Sequence, residues 1–399
     1  MMTKSPKVRS ARTRAVRVAS VAAFLLVTVL AFPANITVPT FELITHALPY
    51  NGDFALQTYG NMIIQVDGGY KFGAQIGLSF LSSLSLASSL EASGVNPLGF
   101  YGASLIMRDV LNSSIDISYF VGQNDFFCRG DGFSYFGATT FATNYSGFLY
   151  FPSGPLYQGI YQVDGTGIRV DFTPAKESLR LSLYAYEDTH FNDLSIMPAG
   201  NSFYTLSTPY GSFSADLRAL LNLDVVKLEG FFGGTYTPSS IFGLYRGGLM
   251  LYATNKDVEF FAQVGVPQWD ASSTFTINLF YLLFEPRLHL GQFSIVPTFF
   301  WHPAYYLQFS DPGEVGNFDV NVNVYVGDLV TTSVRGGLEG NFKFQSSSLT
   351  TAGVLQSSVS PYVSFATPGV VWTARANFKL FPFSFSTLFD AFLGIKATL

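Results

Sequence analysis

Residues 318–326 read Phe-Asp-Val-Asn-Val-Asn-Val-Tyr-Val, an alternation of apolar and polar side chains. Because successive side chains of a β-strand point to opposite faces, this stretch predicts a strand with one apolar and one polar face. The same period of two returns along the chain, for example in residues 70–80, 179–186, 226–233 and 389–399. The pattern predicts an all-β protein with repeated strands of about 9–11 residues, the length at which a tilted strand crosses a bilayer.

The composition points away from a water-soluble sheet. Only 12% of the 399 residues are charged, whereas 48% are hydrophobic and 17% are aromatic. Soluble domains carry about 25% charged residues, so this chain has too few charges to cover the outer faces of a β-sandwich. The abundant aromatic residues exclude a disordered chain, and the formal net charge of −5 does not suggest nucleic-acid binding. A bilayer leaves no water for unpaired backbone groups, so the alternation favours a closed transmembrane antiparallel barrel.

The N-terminal residues have the pattern of a secretory signal peptide. Residues 1–17 contain six basic and no acidic side chains, and the apolar run Val18–Ala31 follows. That run is shorter than the about 20 residues of a membrane helix, and the small residues Ala31 and Ala34 offer cleavage sites. We therefore expect three parts in the chain: a signal peptide at 1–34, a periplasmic N-terminal extension at 35–68, and a transmembrane barrel at 69–399.

The connections between the predicted strands alternate in length. Residues 223–224 and 291–292 form short connections, whereas 124–156 and 303–317 form long ones. Barrels of bacterial outer membranes have short periplasmic turns and long extracellular loops, so the alternation predicts an up-and-down meander with both ends on the periplasmic side. Counting strands from turn to turn gives about 16, with roughly 14 to 18 compatible with an even-numbered barrel.

These features resemble the outer-membrane β-barrels of bacteria, porins in the broad sense, over roughly residues 55–399. Such barrels commonly end in an aromatic residue with a glycine several positions earlier, a signal for the barrel-insertion machinery. Gly394 and Leu399 have that spacing, with Leu in place of the aromatic residue. The resemblance implies a location in outer-membrane lipid, contact of the C-terminal strand with the insertion machinery, and passage of small solutes. It leaves open whether the barrel forms a homo-oligomer.

The charges expected to face the lumen are distributed unevenly. One arc of the predicted barrel combines the later strands with the first ones and has an excess of basic residues. Charged walls set the ion preference of a channel, so this arc predicts a mild preference for anions. We also expect Arg218 and Glu229 to form a lumen-facing ion pair across the turn at 223–224. The basic residues proposed as selectivity determinants are Lys71, Arg108, Arg335, Lys343, Arg375, Lys379 and Lys396.

Three functions are compatible with such a barrel. A pore for small solutes is favoured, because a barrel of about 16 strands encloses an aqueous channel unless a loop folds into it. A surface adhesin or structural barrel would have its lumen plugged, for which the aromatic-rich segment 124–156 is the candidate. An outer-membrane hydrolase would rest on Ser294, which a two-residue turn places opposite His289, with Glu285 on the same strand.

The hydrolase interpretation is the weakest of the three. Every barrel has a polar lumen wall, and a serine and a histidine without a surrounding motif are weak evidence for catalysis. The sequence has no glycine-rich phosphate loop between a strand and a helix, and no His or Cys spacing typical of a metal site. We therefore predict no enzymatic activity, no cofactor and no metal.

Overall fold

The computed structural model forms a closed antiparallel barrel. It describes residues 34–50, 53–83, 98–137, 141, 143, 159–175, 178–189, 212–237, 240–301, 303, 318–345, 354–384 and 388–397. These residues contain 18 strands in a single sheet, in which each strand pairs with its neighbours in sequence and the last pairs with the first. The predicted fold class is confirmed, and the number of strands lies at the upper end of the predicted range.

The strands in chain order are β1 Ala34–Tyr50, β2 Asp53–Gly68, β3 Phe72–Ser83, β4 Leu98–Met107, β5 Ile115–Phe127, β6 Tyr161–Ala175, β7 Leu179–Asp188, β8 Ser212–Leu223, β9 Val226–Thr237, β10 Ser240–Asn255, β11 Val258–Asp270, β12 Tyr281–Leu290, β13 Phe293–Trp301, β14 Phe318–Val326, β15 Val334–Gln345, β16 Val354–Thr367, β17 Val370–Phe381 and β18 Phe389–Ala397. Short 3-10 helices lie in the connections at Val110–Asn112, Asp131–Phe136 and Ile277–Leu279. Among the residues described, no helix is long and apolar enough to cross a membrane.

Alternation along each strand separates an apolar outer face from a polar inner face. In β14, Asp319, Asn321 and Asn323 are buried inside the barrel, whereas Val320 and the valines that follow at every second position lie on the partly exposed outer face. Large apolar side chains on the outer face are exposed, as for Phe232 with an exposed fraction of 65%. The inversion of the usual arrangement, with apolar groups outside, is what a lipid-facing surface requires.

The segment predicted as an N-terminal extension is part of the barrel. Its described residues form β1 and β2 instead, and β1 pairs with both β2 and β18. Without these two strands, β3 and β18 would each leave an edge of unpaired backbone groups, which a bilayer does not tolerate. Pro39 lies within a register irregularity between Thr37 and Thr40, so the missing N–H falls where the ladder is interrupted. The predicted signal peptide lies almost entirely outside the described residues.

The connections separate into a short-turn side and a long-loop side of the barrel. Tight turns such as 224–225, 256–257 and 291–292 join strands on one side, where β1 also begins and β18 ends. Gly291 adopts a φ of +67° at the first position of its two-residue turn, a backbone conformation that glycine takes at no steric cost. The long-loop side is less regular than the sequence predicts, because β9 and β10 are joined by residues 238–239 alone.

The register of β14 is testable with two neighbouring substitutions. We expect Val322→Arg to reduce assembly strongly, because an arginine facing lipid near the midplane costs about 2–4 kcal/mol. Asn323→Arg is the matched control, since the same side chain then enters the polar interior. The fraction of folded barrel, measured by its heat-dependent mobility in SDS gels, reports the difference. Equal loss of folded protein in both variants would show that the inner and outer faces are wrongly assigned.

Candidate functional site

The chain leaving β5 turns into the barrel. Cys128 and Gly130, both with positive φ angles of 60° and 97°, reverse its direction immediately after the strand ends at Phe127. The 3-10 helix Asp131–Phe136 follows, and its Phe133 is completely buried. Of the predicted segment 124–156, residues 124–127 complete β5, and the described residues after it, 128–137, 141 and 143, lie inside the lumen. The remaining residues of that segment lie outside the described residues.

Aromatic rings attach this inserted loop to one side of the lumen wall. The Phe127 ring, at the foot of the loop, lies 4.9 Å from that of Phe231 on β9 and 5.2 Å from that of Tyr184 on β7. The Phe141 ring stacks on Tyr252 of β10 with a centroid distance of 4.2 Å. Aromatic pairs at these distances add to the free energy gained from burying the rings. The loop is therefore packed against the wall rather than suspended in the lumen.

Hydrogen bonds to wall residues hold the loop at Cys128, where it leaves β5, and again at Thr143. The backbone N–H of Cys128 donates to Glu229 Oε1 over 2.6 Å, and the amide of Gln263 donates to the Cys128 carbonyl. Further along, the Thr143 hydroxyl donates to Glu285 Oε2 over 2.5 Å. Burial raises the pKa of the Cys128 thiol well above its usual range, and the Glu229 carboxylate adds to that effect. The thiol therefore stays protonated and enclosed.

Arginines on alternate strands form a row on the wall that holds the loop. Each is buried or nearly so and lies against a carboxylate, so positive charge is neutralised where it occurs. Arg246 is the most enclosed, with a side-chain exposed fraction of 1%, and it donates two hydrogen bonds to the Asp216 carboxylate while its guanidinium lies over the Tyr161 ring. The four arginines and their nearest carboxylate distances are Arg169–Asp125 at 2.6 Å, Arg218–Glu229 at 2.7 Å, Arg246–Asp216 at 2.6 Å and Arg287–Glu285 at 2.7 Å.

Arg218 and Glu229 are in contact, but their relative position differs from the predicted one. The turn occupies residues 224–225 rather than 223–224, so Leu220, not Arg218, lies directly across from Glu229. Arg218 is two positions away on the same face and reaches Glu229 diagonally, with Nε 2.7 Å from Oε1. Glu229 thus links the wall to the loop, since the same oxygen accepts the Cys128 N–H.

Basic residues of the proposed arc lie against carboxylates, one of which, Asp67, was not expected in the lumen. Arg108 lies 2.9 Å from Asp67 of β2, a residue assigned to the extension and so missed as a lumen charge. Arg375 Nη1 lies 2.6 Å from Glu339, and Lys379 lies 3.3 Å from Asp390. Neighbouring strands thus supply the counter-charges.

The other candidates of the arc divide into buried and exposed groups. Lys343 is buried, with an exposed fraction of 1%, directly across from Asp319. Arg335 lies over the Tyr325 ring at 4.6 Å, with its guanidinium 3.9 Å from Asp328. Lys71 and Lys396 are exposed near the short-turn side, and among the described residues no carboxylate lies within ion-pair distance of either.

Amide and hydroxyl groups dominate the wall between these charges. The Asn321 amide donates to the Asn341 carbonyl oxygen over 2.5 Å and also to Glu339. On the next strands, the Tyr362 hydroxyl donates to Asn323 over 3.0 Å and the Ser360 hydroxyl donates to Asn377 over 3.0 Å. The part of the wall formed by β14–β17 is therefore a hydrogen-bonded polar surface, in contrast to the aromatic wall that holds the loop.

Ser294, His289 and Glu259 lie together near the short-turn side. Ser294 pairs with His289 across β12 and β13, as the two-residue turn predicts, and its hydroxyl lies 2.9 Å from His289 Nδ1. The other ring nitrogen lies 3.6 Å from Glu259 Oε1, so Glu259 rather than Glu285 is the nearer carboxylate. Glu259 is also paired with Arg287 at 2.9 Å. Among the residues described, no group of three or more His, Cys, Asp or Glu is arranged to hold a metal ion.

Comparisons with known proteins identify the fold. No protein-family model matches the chain, and no curated protein matches its sequence. Among solved structures it is similar to OccAB2 of Acinetobacter baumannii, with a TM-score of 0.52 and 9% identity over 92% of this chain and 98% of that one. It is also similar to a BenF-like porin of Pseudomonas fluorescens Pf-5, with a TM-score of 0.51, 9% identity and the same coverage. The fold is therefore that of the bacterial outer-membrane porins.

Charge reversal tests the link between Arg218 and Glu229. We expect Arg218→Glu or Glu229→Arg alone to lower the unfolding temperature of the barrel, because breaking a buried ion pair costs about 3–5 kcal/mol. The double variant should recover part of this loss but not all, since Cys128 N–H loses its acceptor. Lys256→Glu, in an exposed turn, is the control. A double variant whose unfolding temperature is no higher than that of the less stable single variant would argue against a direct pair.

Proposed function

We propose that this protein is a pore of the bacterial outer membrane through which small solutes and ions pass passively. One observation carries the proposal: a closed barrel with an apolar outside and an ionised, hydrogen-bonded inside is narrowed by a loop that packs on one wall. A barrel of this strand number is wide enough for an aqueous channel, and the inserted loop occupies part of that cross-section. In this proposal solutes pass between the loop and the polar wall of β14–β18 and β1–β4.

The proposal includes the route of the chain to the membrane. Residues 1–34 act as a signal peptide that is removed on export, and the long-loop side faces the outside of the cell. The strand β18 is presented to the barrel-insertion machinery. Outer-membrane lipid and small solutes are the partners of the mature protein, and nucleic acid is not.

The plugged-barrel alternative makes the opposite prediction about conductance. In planar bilayers we expect the wild-type protein to give discrete single-channel openings. Phe141→Ala should give larger and noisier openings, because the loop loses its stacking on Tyr252. Phe365→Ala removes an aromatic ring from the outer face and serves as the control, with conductance unchanged. A folded wild-type barrel that conducts no current would support a structural or adhesive barrel instead.

The hydrolase alternative has one observation in its favour, the contact of Ser294 with His289. Against it, Ser294 lies within a strand paired on both sides and has an exposed fraction of 5%. Catalysis of acyl transfer also needs N–H donors directed at the developing oxyanion, and backbone groups inside a sheet are engaged in the ladder. We therefore propose a structural role for this cluster in the lumen wall.

We propose a weak selectivity for anions, carried by the basic residues that keep some exposure. Lys71, Lys396 and Arg335 are the candidates, since the others in the arc are buried or closely paired. The expected reversal potential in a salt gradient shows a small anion preference at low salt that decreases as salt screens the charges.

Substitution of two basic residues that keep some exposure tests this selectivity. Arg335 lies in β15, and Lys396 lies near the end of β18. The double variant Arg335→Glu with Lys396→Glu should shift the reversal potential towards cations, whereas the neutral substitution Ser364→Ala, directly across from Arg335, should leave it unchanged. A cation-selective wild-type pore, or no shift in the double variant, would remove these residues as determinants of selectivity.

A further inference from the structure

A hollow of about 380 Å³ lies on the outer wall of the barrel, across β9, β10 and β11. It forms because glycines occupy outward-facing positions beside large side chains. Gly247 lies directly across from Phe232, and Gly234 lies across from Tyr245. With no side chain at these positions, the sheet surface is recessed between the rings. The residues lining the hollow are Phe232, Tyr245, Arg246, Gly247, Val266, Trp269 and Phe275.

Aromatic rings border the hollow on the long-loop side. The Tyr245 and Trp269 rings are 6.3 Å apart, and Trp269 meets Phe275 edge to face at 5.4 Å. The indole N–H of Trp269 donates to the Ser273 carbonyl over 3.3 Å, which ties the connection after β11 to the border. A register irregularity between Tyr245 and Gly247 adds a local bend of β10 at this point.

The chemistry of the hollow is that of hydrocarbon. Arg246 contributes to the lining, but its guanidinium points into the lumen, where it is bonded to Asp216 and Thr235. The connection 271–280 above the border contains no charged residue. The hollow is continuous with the outer face, where Phe232 and Leu249 have exposed fractions of 65% and 63%. In a membrane, the molecules that meet this face are lipid acyl chains.

We propose that this hollow binds one acyl chain of a membrane lipid in the leaflet on the long-loop side. The hollow recognises the chain and not the headgroup, because its lining offers apolar surface without a free charge. The inference rests on the membrane location in the proposed function but not on the passage of solutes. Because the surrounding lipid is as apolar as the lining, the hydrophobic effect does not drive binding, and close packing of the chain against Phe232 and Trp269 is what distinguishes the site from ordinary lipid contact.

The fluorescence of Trp269 can report directly on the hollow, because only two other tryptophans, Trp301 and Trp372, have to be replaced. In a Trp301→Phe, Trp372→Phe background, a fatty acid brominated in mid-chain is titrated into the purified barrel in detergent micelles. We expect saturable quenching of Trp269 fluorescence with one fatty acid per barrel. Gly247→Phe should abolish the saturable part, because its ring fills the hollow. A Cβ at Gly247 meets its nearest atom at 3.4 Å, so the backbone has room for a side chain.

Gly340→Phe is the matched control. This glycine is on the strand β15, and a Cβ there would meet nothing within 4 Å, so the substitution adds the same ring away from the hollow. It should leave the saturable quenching intact. Quenching that is linear, or that is equal in the wild type, Gly247→Phe and Gly340→Phe, would overturn the proposal. So would a protein–detergent complex that doubles in mass in the wild type but not in Gly247→Phe, since a second copy would then cover the hollow.

Two further measurements separate this inference from the proposed function. Fractionation of cells shows whether the barrel is in the outer membrane, and its absence there would remove the basis of the inference. Single-channel recordings of Gly247→Phe should match the wild type, because the hollow is outside the lumen. A silent wild-type channel with saturable quenching would contradict the pore but leave the acyl-chain site in place.

Discussion

The requirement that every backbone N–H and C=O find a partner without water determines this structure. In hydrocarbon each unsatisfied group costs several kcal/mol, so a sheet can cross only when it has no edge. Here the requirement is met by the pairing of β1 with β18, which turns a meander into a cylinder. Once closed, the cylinder gives each strand one face towards lipid and one towards the interior, and the two-residue period of the sequence assigns each side chain to one of them.

The closed interior imposes a second constraint, on charge. Arginines and carboxylates that enter it lose water, so they occur against one another, as for Arg246 with Asp216 and Arg375 with Glu339. The loop that enters the lumen uses the same carboxylates: Glu229 accepts from both Arg218 and Cys128. The lumen is thereby divided into an aromatic side that holds the loop and a side of amides and hydroxyls.

The alternation of single strands can be predicted from the sequence because it is a local property. The inward positions of Asn321 and Asn323 and the pairing of Ser294 with His289 follow from period and turn length alone. Properties that depend on remote parts of the chain are harder to predict. Whether 35–68 belongs to the barrel depends on which strands must be joined at closure. Because β2 was assigned to the extension, its Asp67, the partner of Arg108, was not expected to face the lumen. Similarly, moving the turn by one residue, from 223–224 to 224–225, changed the residue opposite Glu229 by two positions. The aromatic content of 124–156 indicates burial, but the wall to which it attaches is set by the tertiary fold.

The seam between β1 and β18 also has a consequence for the order of folding. Every other neighbouring pair in the barrel is a hairpin that can form as soon as its two strands exist, but the seam joins segments separated by almost the whole chain. Contacts of such long range are slow to form because the intervening chain must first be ordered. The strand β1 begins and β18 ends on the short-turn side, so the cylinder is a ring of hairpins in which the position of the break is arbitrary. A covalent link across that break, with a new opening at an exposed connection, would preserve every neighbour relationship in the ring.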